Sequence, residues 1–196
     1  MKKLLITSFD PFGGEAVNPS WEAVRLLPHR VGDYEITKLQ IPTVFDLAAR
    51  TVLAAAQELQ PDVILCVGQA GGRKSITPEV VAINLREASI ADNAGNQPAN
   101  APVVAQGPAA YFATVPVRDM VKAMEQAGFP AALSYSAGTF VCNDVLYTLL
   151  HHYDGSPVRV GFIHVPFLPE QAKEGVPSMP LEQIAQALES AIGALA

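Results

Sequence analysis

A single-domain α/β fold is what the sequence predicts: a three-layer α/β/α sandwich with a mixed, largely parallel central sheet. Three observations predict it. Short apolar runs alternate with segments of helical period along the chain, the pattern of strands feeding crossover helices. One run, Val63-Ile64-Leu65-Cys66-Val67, is apolar throughout, as a strand covered on both faces must be. Finally, 196 residues of which 49% are hydrophobic can bury one substantial core, and no repeat or linker divides residues 1–196 into further units.

Taken in order, residues 2–8 read as a first strand that runs into the loop Phe9-Asp10-Pro11-Phe12-Gly13-Gly14. A helix follows over 19–27, with Pro19 in its first turn, where no intrahelical N–H is needed. Residues 34–41 form the next strand, and 44–60, rich in Ala and Leu and stopped by Pro61, the next helix. Beyond the central strand comes a glycine-rich turn, Gly68 to Arg73, and then a strand over 80–85. Residues 88–108 show no period, and a run of that length without structure is uncommon inside a compact domain. The remainder reads as a helix over 117–127, a strand over 130–136, a helix over 142–153, a strand over 158–165 and a closing amphipathic helix over 181–195.

Composition narrows the function. Lys and Arg number 13 against 19 Asp and Glu, an acidic balance that argues against nucleic acid as a partner. The start, Met1-Lys2-Lys3-Leu4-Leu5-Ile6, resembles a signal peptide but stops at Thr7-Ser8 and meets Asp10-Pro11, too soon for an h-region. No stretch approaches the roughly 20 apolar residues that span a bilayer, so no membrane association is expected. With only two cysteines, a disulfide scaffold is not expected and a reducing cytoplasm is.

Each thiol then needs its own explanation. In Ser136-Ala137-Gly138-Thr139-Phe140-Val141-Cys142-Asn143 a strand gives way through Ala-Gly to a helix starting near Cys142. A thiol there meets the positive end of the helix dipole and unpaired N–H groups, which lower its pKa and can hold an oxyanion. A lone cysteine is nevertheless more often core than catalyst. Cys66, mid-strand, is expected to be inert. A thiol nucleophile needs a base, and His164 is the histidine that falls at a strand's carboxyl end, where open α/β sheets place their sites. His29 sits in a polar loop, and His151-His152 suit a helix C-terminus. Glu79 enters an otherwise apolar stretch, and an acid there needs a partner. A structural His164 and a surface Glu79 remain alternatives, because triad members converge in space rather than along the sequence.

Several separated motifs agree with one family. Gly68-Gln69-Ala70-Gly71-Gly72-Arg73 through Ile76-Thr77-Pro78-Glu79 and Ala82-Ile83-Asn84 resembles the glutamate signature of pyroglutamyl peptidase I (pyrrolidone-carboxylate peptidase), and Ser136 to Asn143 resembles its cysteine signature. Phe9 to Gly14, Asn18-Pro19-Ser20-Trp21 and Gly161 to Pro166 agree as well, so the likeness covers nearly the whole chain. The resemblance implies a cysteine peptidase that removes N-terminal pyroglutamate, with Cys142 as nucleophile, His164 as base and Glu79 as orienting acid. It further implies that Phe9 and Phe12 bracket the lactam ring, that Ile90, Phe140 and Val141 line the pocket, and that Asn18 and Gln69 hydrogen-bond the lactam. A homotetramer acting on pyroglutamyl peptides is implied too.

Two departures stand out. Val80 occupies a position that is usually basic in that family, and Ala88-Ser89-Ile90-Ala91-Asp92-Asn93 replaces a segment that usually reads Ala-Arg-Ile-Pro-Asp-Asn. Two positive charges are therefore expected to be missing near the site, and residues 88–108 are expected to be unusually mobile. Fold alone also allows a phosphate-dependent glycosyl transferase with Gly68 to Gly72 as an anion loop, although the run lacks the Lys-Ser/Thr ending of a P-loop. A silent pyroglutamyl-peptide binder is the other alternative. No Cys/His cluster has metal-ligand spacing and no dinucleotide fingerprint occurs, so neither metal nor cofactor is expected.

Overall fold

The computed structural model describes residues 1–195. Its centre is a six-stranded sheet in the order β2-β3-β1-β4-β8-β5, made by β1 (Lys2–Phe9), β2 (Arg30–Val31), β3 (Tyr34–Ile41), β4 (Val63–Gln69), β5 (Thr77–Pro78) and β8 (Arg159–Val165). The inner strands β3, β1, β4 and β8 run parallel, and the short edges β2 and β5 are antiparallel. A separate ribbon pairs β6 (Val81–Ile83) with β7 (Ala110–Phe112).

Side chains alternate across a strand, so each inner strand feeds two cores. Leu4, Ile6, Leu65 and Ile163 point to one face and pack under α1 (Pro19–Leu26), α3 (Val117–Gln126) and α5 (Leu181–Gly193). Leu5, Ile64, Cys66 and Phe162 point to the other, under α2 (Leu47–Leu59) and α4 (Val141–His152). The three layers expected from the sequence are thus present, with a mostly parallel sheet between helices on both faces. No helix among the described residues is long and apolar enough to cross a membrane.

Four local expectations are corrected. The helix expected from residue 44 begins at Leu47, because Asp46 adopts φ 60°, a left-handed conformation that a helix cannot continue through. The strand expected over 130–136 reduces to two isolated bridges, Ile76 to Ala131 and Glu79 to Ser134. Its partner segment contains Pro78, which has no N–H to give a ladder. The strand expected over 80–85 lies in the two-stranded ribbon rather than in the main sheet.

The fourth correction concerns residues 88–108, which are laced to the body. The Asp92 carboxylate accepts hydrogen bonds from the backbone N–H groups of Phe45, Ala94 and Asn96 and from Asn96 Nδ2, at 2.8–2.9 Å. Asn93 donates its backbone N–H to Thr43 O and its amide to Pro11 O. Ala88 pairs with Pro98, and Arg86 with Ala101. Burial alone would push the Asp92 carboxyl up, but these donors outweigh it and hold it below the usual range. The segment has Ser89 and Ala91 where the resemblance leads one to expect arginine and proline, and it is Asp92 that does the tying. Asp92→Ala is expected to cost on the order of 2 kcal/mol and to open cleavage sites between residues 88 and 108 to limited proteolysis, an effect that wild-type resistance at the same protease dose would set in relief.

Candidate active site

Glu79 follows directly on β5. Its backbone N–H donates to Phe162 O at 2.9 Å, which docks it against β8 and buries it completely. Its Oε1 accepts two hydrogen bonds, from His164 Nδ1 at 2.7 Å and from Arg73 Nη1 at 2.7 Å. Burial would raise the Glu79 carboxyl, but the hydrogen bond and charge of His164, followed by the Ser134 hydroxyl and the Arg73 contact, leave it below its usual range. Glu79 is therefore the ionised partner. For His164, 3% exposed, burial dominates and depresses the imidazole pKa, with Glu79 opposing in part. At neutral pH the ring is neutral, and with an anionic acceptor at Nδ1 the proton must sit on that nitrogen, leaving the Nε2 lone pair free.

Cys142 stands in the first turn of α4, two residues after the cap position Phe140. The chain reaches it through Gly138 at φ 77°, a left-handed turn that glycine adopts without steric cost. The thiol lies over β4: a Cβ built on Gly68 would come within 3.0 Å of Cys142 Sγ and 2.8 Å of Phe162 Cζ. Gly68 is also the register partner of His164. Absence of a side chain at 68 is thus what lets the thiol descend to the level of the imidazole. The backbone N–H groups of residues 141–143 precede the first closed helical bond, Asp144 N–H to Phe140 O, and so are free to point at a ligand.

The thiol's acidity differs from the sequence expectation. Burial first, and the Glu79 charge second, push Cys142 up to about 12, against smaller lowering by Arg73 and the backbone. Resting Cys142 is a thiol rather than a thiolate. Cys66, fully buried beneath the same strand level, is likewise pushed up to about 12 by burial.

Three neighbours were missed in the sequence. Arg73 donates to Glu79 and Thr77 and, through Nη2, to Ser136 O at 3.1 Å. Asn143 accepts from Ile83 N at 2.9 Å and donates to Ile83 O at 2.9 Å and Leu85 O at 3.1 Å, fastening α4 to β6. Arg86 joins the wholly buried Asp144 at 2.6 Å to Asp46 at 2.5 Å. One cation, Arg73, therefore does stand against the acid, although Val80 and Ser89 carry none. Arg73 was legible only as the last residue of its glycine-rich turn, a guanidinium six residues before a lone acid in an apolar stretch.

Of the expected pocket residues, Phe12 and Phe140 meet with ring centroids 6.1 Å apart, and Phe45 closes edge-on against Phe140 at 5.3 Å. Ile90 is 47% exposed and reaches towards the same loop, its Cδ1 lying 4.0 Å from where a Cβ on Gly13 would be. Phe9 is core-like: it is buried and packs on Phe162 at 6.2 Å. Val141 is fully buried, so what it offers a ligand is its backbone N–H. Asn18 caps α1, accepting from Ser20, and gives one amide hydrogen to Asp10 O; its second is uncommitted. Gln69 Oε1 accepts weakly from Gln171 Nε2 at 3.5 Å, which leaves the Gln69 amide N–H groups available. Among the described residues no group of three or more His, Cys, Asp or Glu could hold a metal ion.

A buried acid–imidazole pair with a thiol nearby, at one end of a largely parallel α/β sheet, is the class of site this fold presents. Residues 2–196 match the family model described as pyroglutamyl peptidase. The pyrrolidone-carboxylate peptidase of Pectobacterium carotovorum is 53% identical over 194 residues, covering 96% of this chain and 90% of that one. That of Bacillus cereus is 49% identical over 197 residues, covering 98% and 92%. Among solved structures, pyroglutamyl peptidase I of Bacillus amyloliquefaciens superposes with a TM-score of 0.95 at 49% identity, covering 100% of this chain and 97% of the other. The pyrrolidone carboxyl peptidase of Thermococcus litoralis gives 0.94 at 36% identity, covering 100% and 93%. The chain belongs to the pyroglutamyl peptidase family and is a peptidase hydrolase.

Proposed function

We propose that this peptidase removes N-terminal pyroglutamate through a thioester formed on Cys142, with His164 as general base and acid and Glu79 as the orienting acid. The observation that carries the reading is the buried 2.7 Å contact between Glu79 Oε1 and His164 Nδ1, set beside a thiol that rests on Gly68, the register partner of that histidine.

Because Cys142 rests as a thiol, proton transfer accompanies attack. Sγ bonds to the pyroglutamyl carbonyl carbon while its proton passes to His164 Nε2. The resulting oxyanion is held by free N–H groups at the start of α4. His164 returns the proton to the leaving amine nitrogen as the C–N bond breaks. A water molecule then attacks the thioester, giving its proton to His164, and Cys142 leaves and is reprotonated. Glu79 keeps the proton on Nδ1 throughout and stabilises the imidazolium.

Pyroglutamate is a neutral, flat lactam. Phe12 and Phe140 offer aromatic faces, with Ile90 reaching towards the same loop and Phe9 in the core behind; Asn18 and Gln69 retain amide hydrogens for the lactam carbonyl, and Val141 contributes backbone. The homotetramer belongs to the same proposal and rests on the family resemblance, the cytoplasmic location rests on the two cysteines and the short apolar start, and the single-domain organisation of 1–196 on length and the lack of a linker. The test is turnover of pyroglutamyl, prolyl and glutamyl reporters, with acid-quenched samples weighed by mass spectrometry. Pyroglutamyl is expected to exceed prolyl by about ten-thousand-fold, since unpaired buried amides penalise the analogue that lacks the carbonyl, and a pyroglutamyl adduct should appear on Cys142. Comparable prolyl turnover, or hydrolysis without any adduct, overturns the reading.

A further inference from the structure

We infer that Arg73 is a positioning residue for the reaction, one that shares a single oxygen of Glu79 with His164 and thereby sets how strongly the acid pulls on the imidazole. The inference rests on the triad proposed above. Its basis is geometric. Glu79 is wholly buried, yet His164 and Arg73 both donate to Oε1, while Oε2 accepts no hydrogen bond from the protein; the nearby Ser134 hydroxyl also favours the charged carboxylate but donates to Ser136 O. The carboxylate's charge is therefore divided at one atom between a permanent cation and the histidine.

Arg73 is itself held from three sides. Besides Glu79 it donates to Thr77 Oγ1, just before the acid, and to Ser136 O at 3.1 Å, in the segment that leads into α4. One guanidinium thus ties the strand that carries the acid to the chain that delivers Cys142. Its planar fork suits three acceptors at fixed angles, which an ammonium would not reproduce. With 28% of its side chain exposed, Arg73 pays less desolvation than the acid it neutralises.

The sign of its electrostatic effect is fixed by the surroundings. The charged groups that act on the imidazole are Glu79 and Arg73, both from the segment between β4 and β6; the Cys142 thiol of α4 lies over Gly68, the register partner of His164. Glu79 favours the imidazolium and Arg73 disfavours it. Removing the cation leaves Glu79's charge unshared, so His164 becomes easier to protonate and the acid limb of activity moves to higher pH.

The experiment compares wild type, Arg73→Met, Arg73→Gln and Arg73→Lys by the pH dependence of kcat/KM on a pyroglutamyl reporter, and by NMR titration of the His164 ring in the resting enzyme. Arg73→Met and Arg73→Gln are expected to lower kcat/KM at neutral pH by about 10- to 100-fold, as loss of a partner behind a reacting group does, and to shift both the acid limb and the ring titration upward by about one pH unit. Arg73→Lys should keep the limb near its wild-type position while remaining slower, because the charge returns without the fork. Arg73→Gln retains hydrogen-bond donors for Thr77 and Ser136, so it reports the charge even if Arg73→Met misfolds. A fall in rate with neither limb nor ring titration displaced would reduce Arg73 to a structural tie and overturn the inference, as would unaltered kinetics. Failure of the triad itself would show differently, as turnover surviving in Cys142→Ala with Arg73 intact.

Discussion

Cys142→Ala is expected to retain no more than about one part in ten thousand of the wild-type kcat on a pyroglutamyl reporter, in line with loss of a nucleophile from an acyl-transfer site. The magnitude follows from the geometry. No second side chain can take over, because Cys66 is fully buried with its thiol pushed up to about 12. The change is structurally mild: Cys142 is half-buried, and Ala removes one atom, a cost of about 1 kcal/mol or less. Far-UV circular dichroism and the melting temperature should therefore match wild type. Alkylation of the native protein should stop at one equivalent, on Cys142, despite its resting protonation, because the neighbouring His164 can accept the proton. Labelling of Cys66 ahead of Cys142, or turnover surviving in the alanine variant, would contradict this account.

Gly68→Ala is the second large effect, and it changes a residue with no side chain to contribute. The new methyl would meet Phe162 Cζ at 2.8 Å and Cys142 Sγ at 3.0 Å. Neither is the loose end of a flexible chain: Phe162 is a fully buried core residue, and Cys142 is fixed by the first turn of α4. Something has to move. Relaxation through Phe162 disturbs the core beneath the sheet and costs about 1–3 kcal/mol. Relaxation through Cys142 lifts the thiol from the level of His164, and a displacement of about 1 Å costs roughly 100-fold in rate. Measured together, denaturation midpoint and kcat/KM apportion the two. A Gly68→Ala enzyme with both at wild-type values would mean that the thiol does not rest on β4.

The main architecture was legible because its signals are long. Leu4 to Ile6, Val63 to Val67 and Val160 to Ile163 are apolar runs whose burial on both faces the sheet requires, and α1 and α3 begin and end within a residue of expectation. What stayed hidden was short or non-local. β2 and β5 have two residues each and β7 three, too few for any period to register. The apolar look of Ala131-Ala132-Leu133 suggested a strand, but pairing depends on the partner, and the partner contains Pro78. At the site, the family resemblance singles out Cys142, His164 and Glu79 as candidates, whereas the acidity of the thiol is not legible in the sequence. It depends on the distances to Glu79 and to the strand below, which no spacing along the chain encodes. Ser89 misled for a similar reason: the loop's anchor is Asp92, whose hydrogen-bond partners span residues 45 to 96.

The amide of Asn143 has a bearing on how the molecule lives among copies of itself. β6 is paired on one side with β7, and on the other its Ile83 N–H and C=O and its Leu85 C=O are all taken by that one side chain. A side-chain amide here stands in for the strand that is missing. An open strand edge is a template for another chain; at Ile83 and Leu85 this one is already occupied from within, which leaves less of it for another chain to pair with.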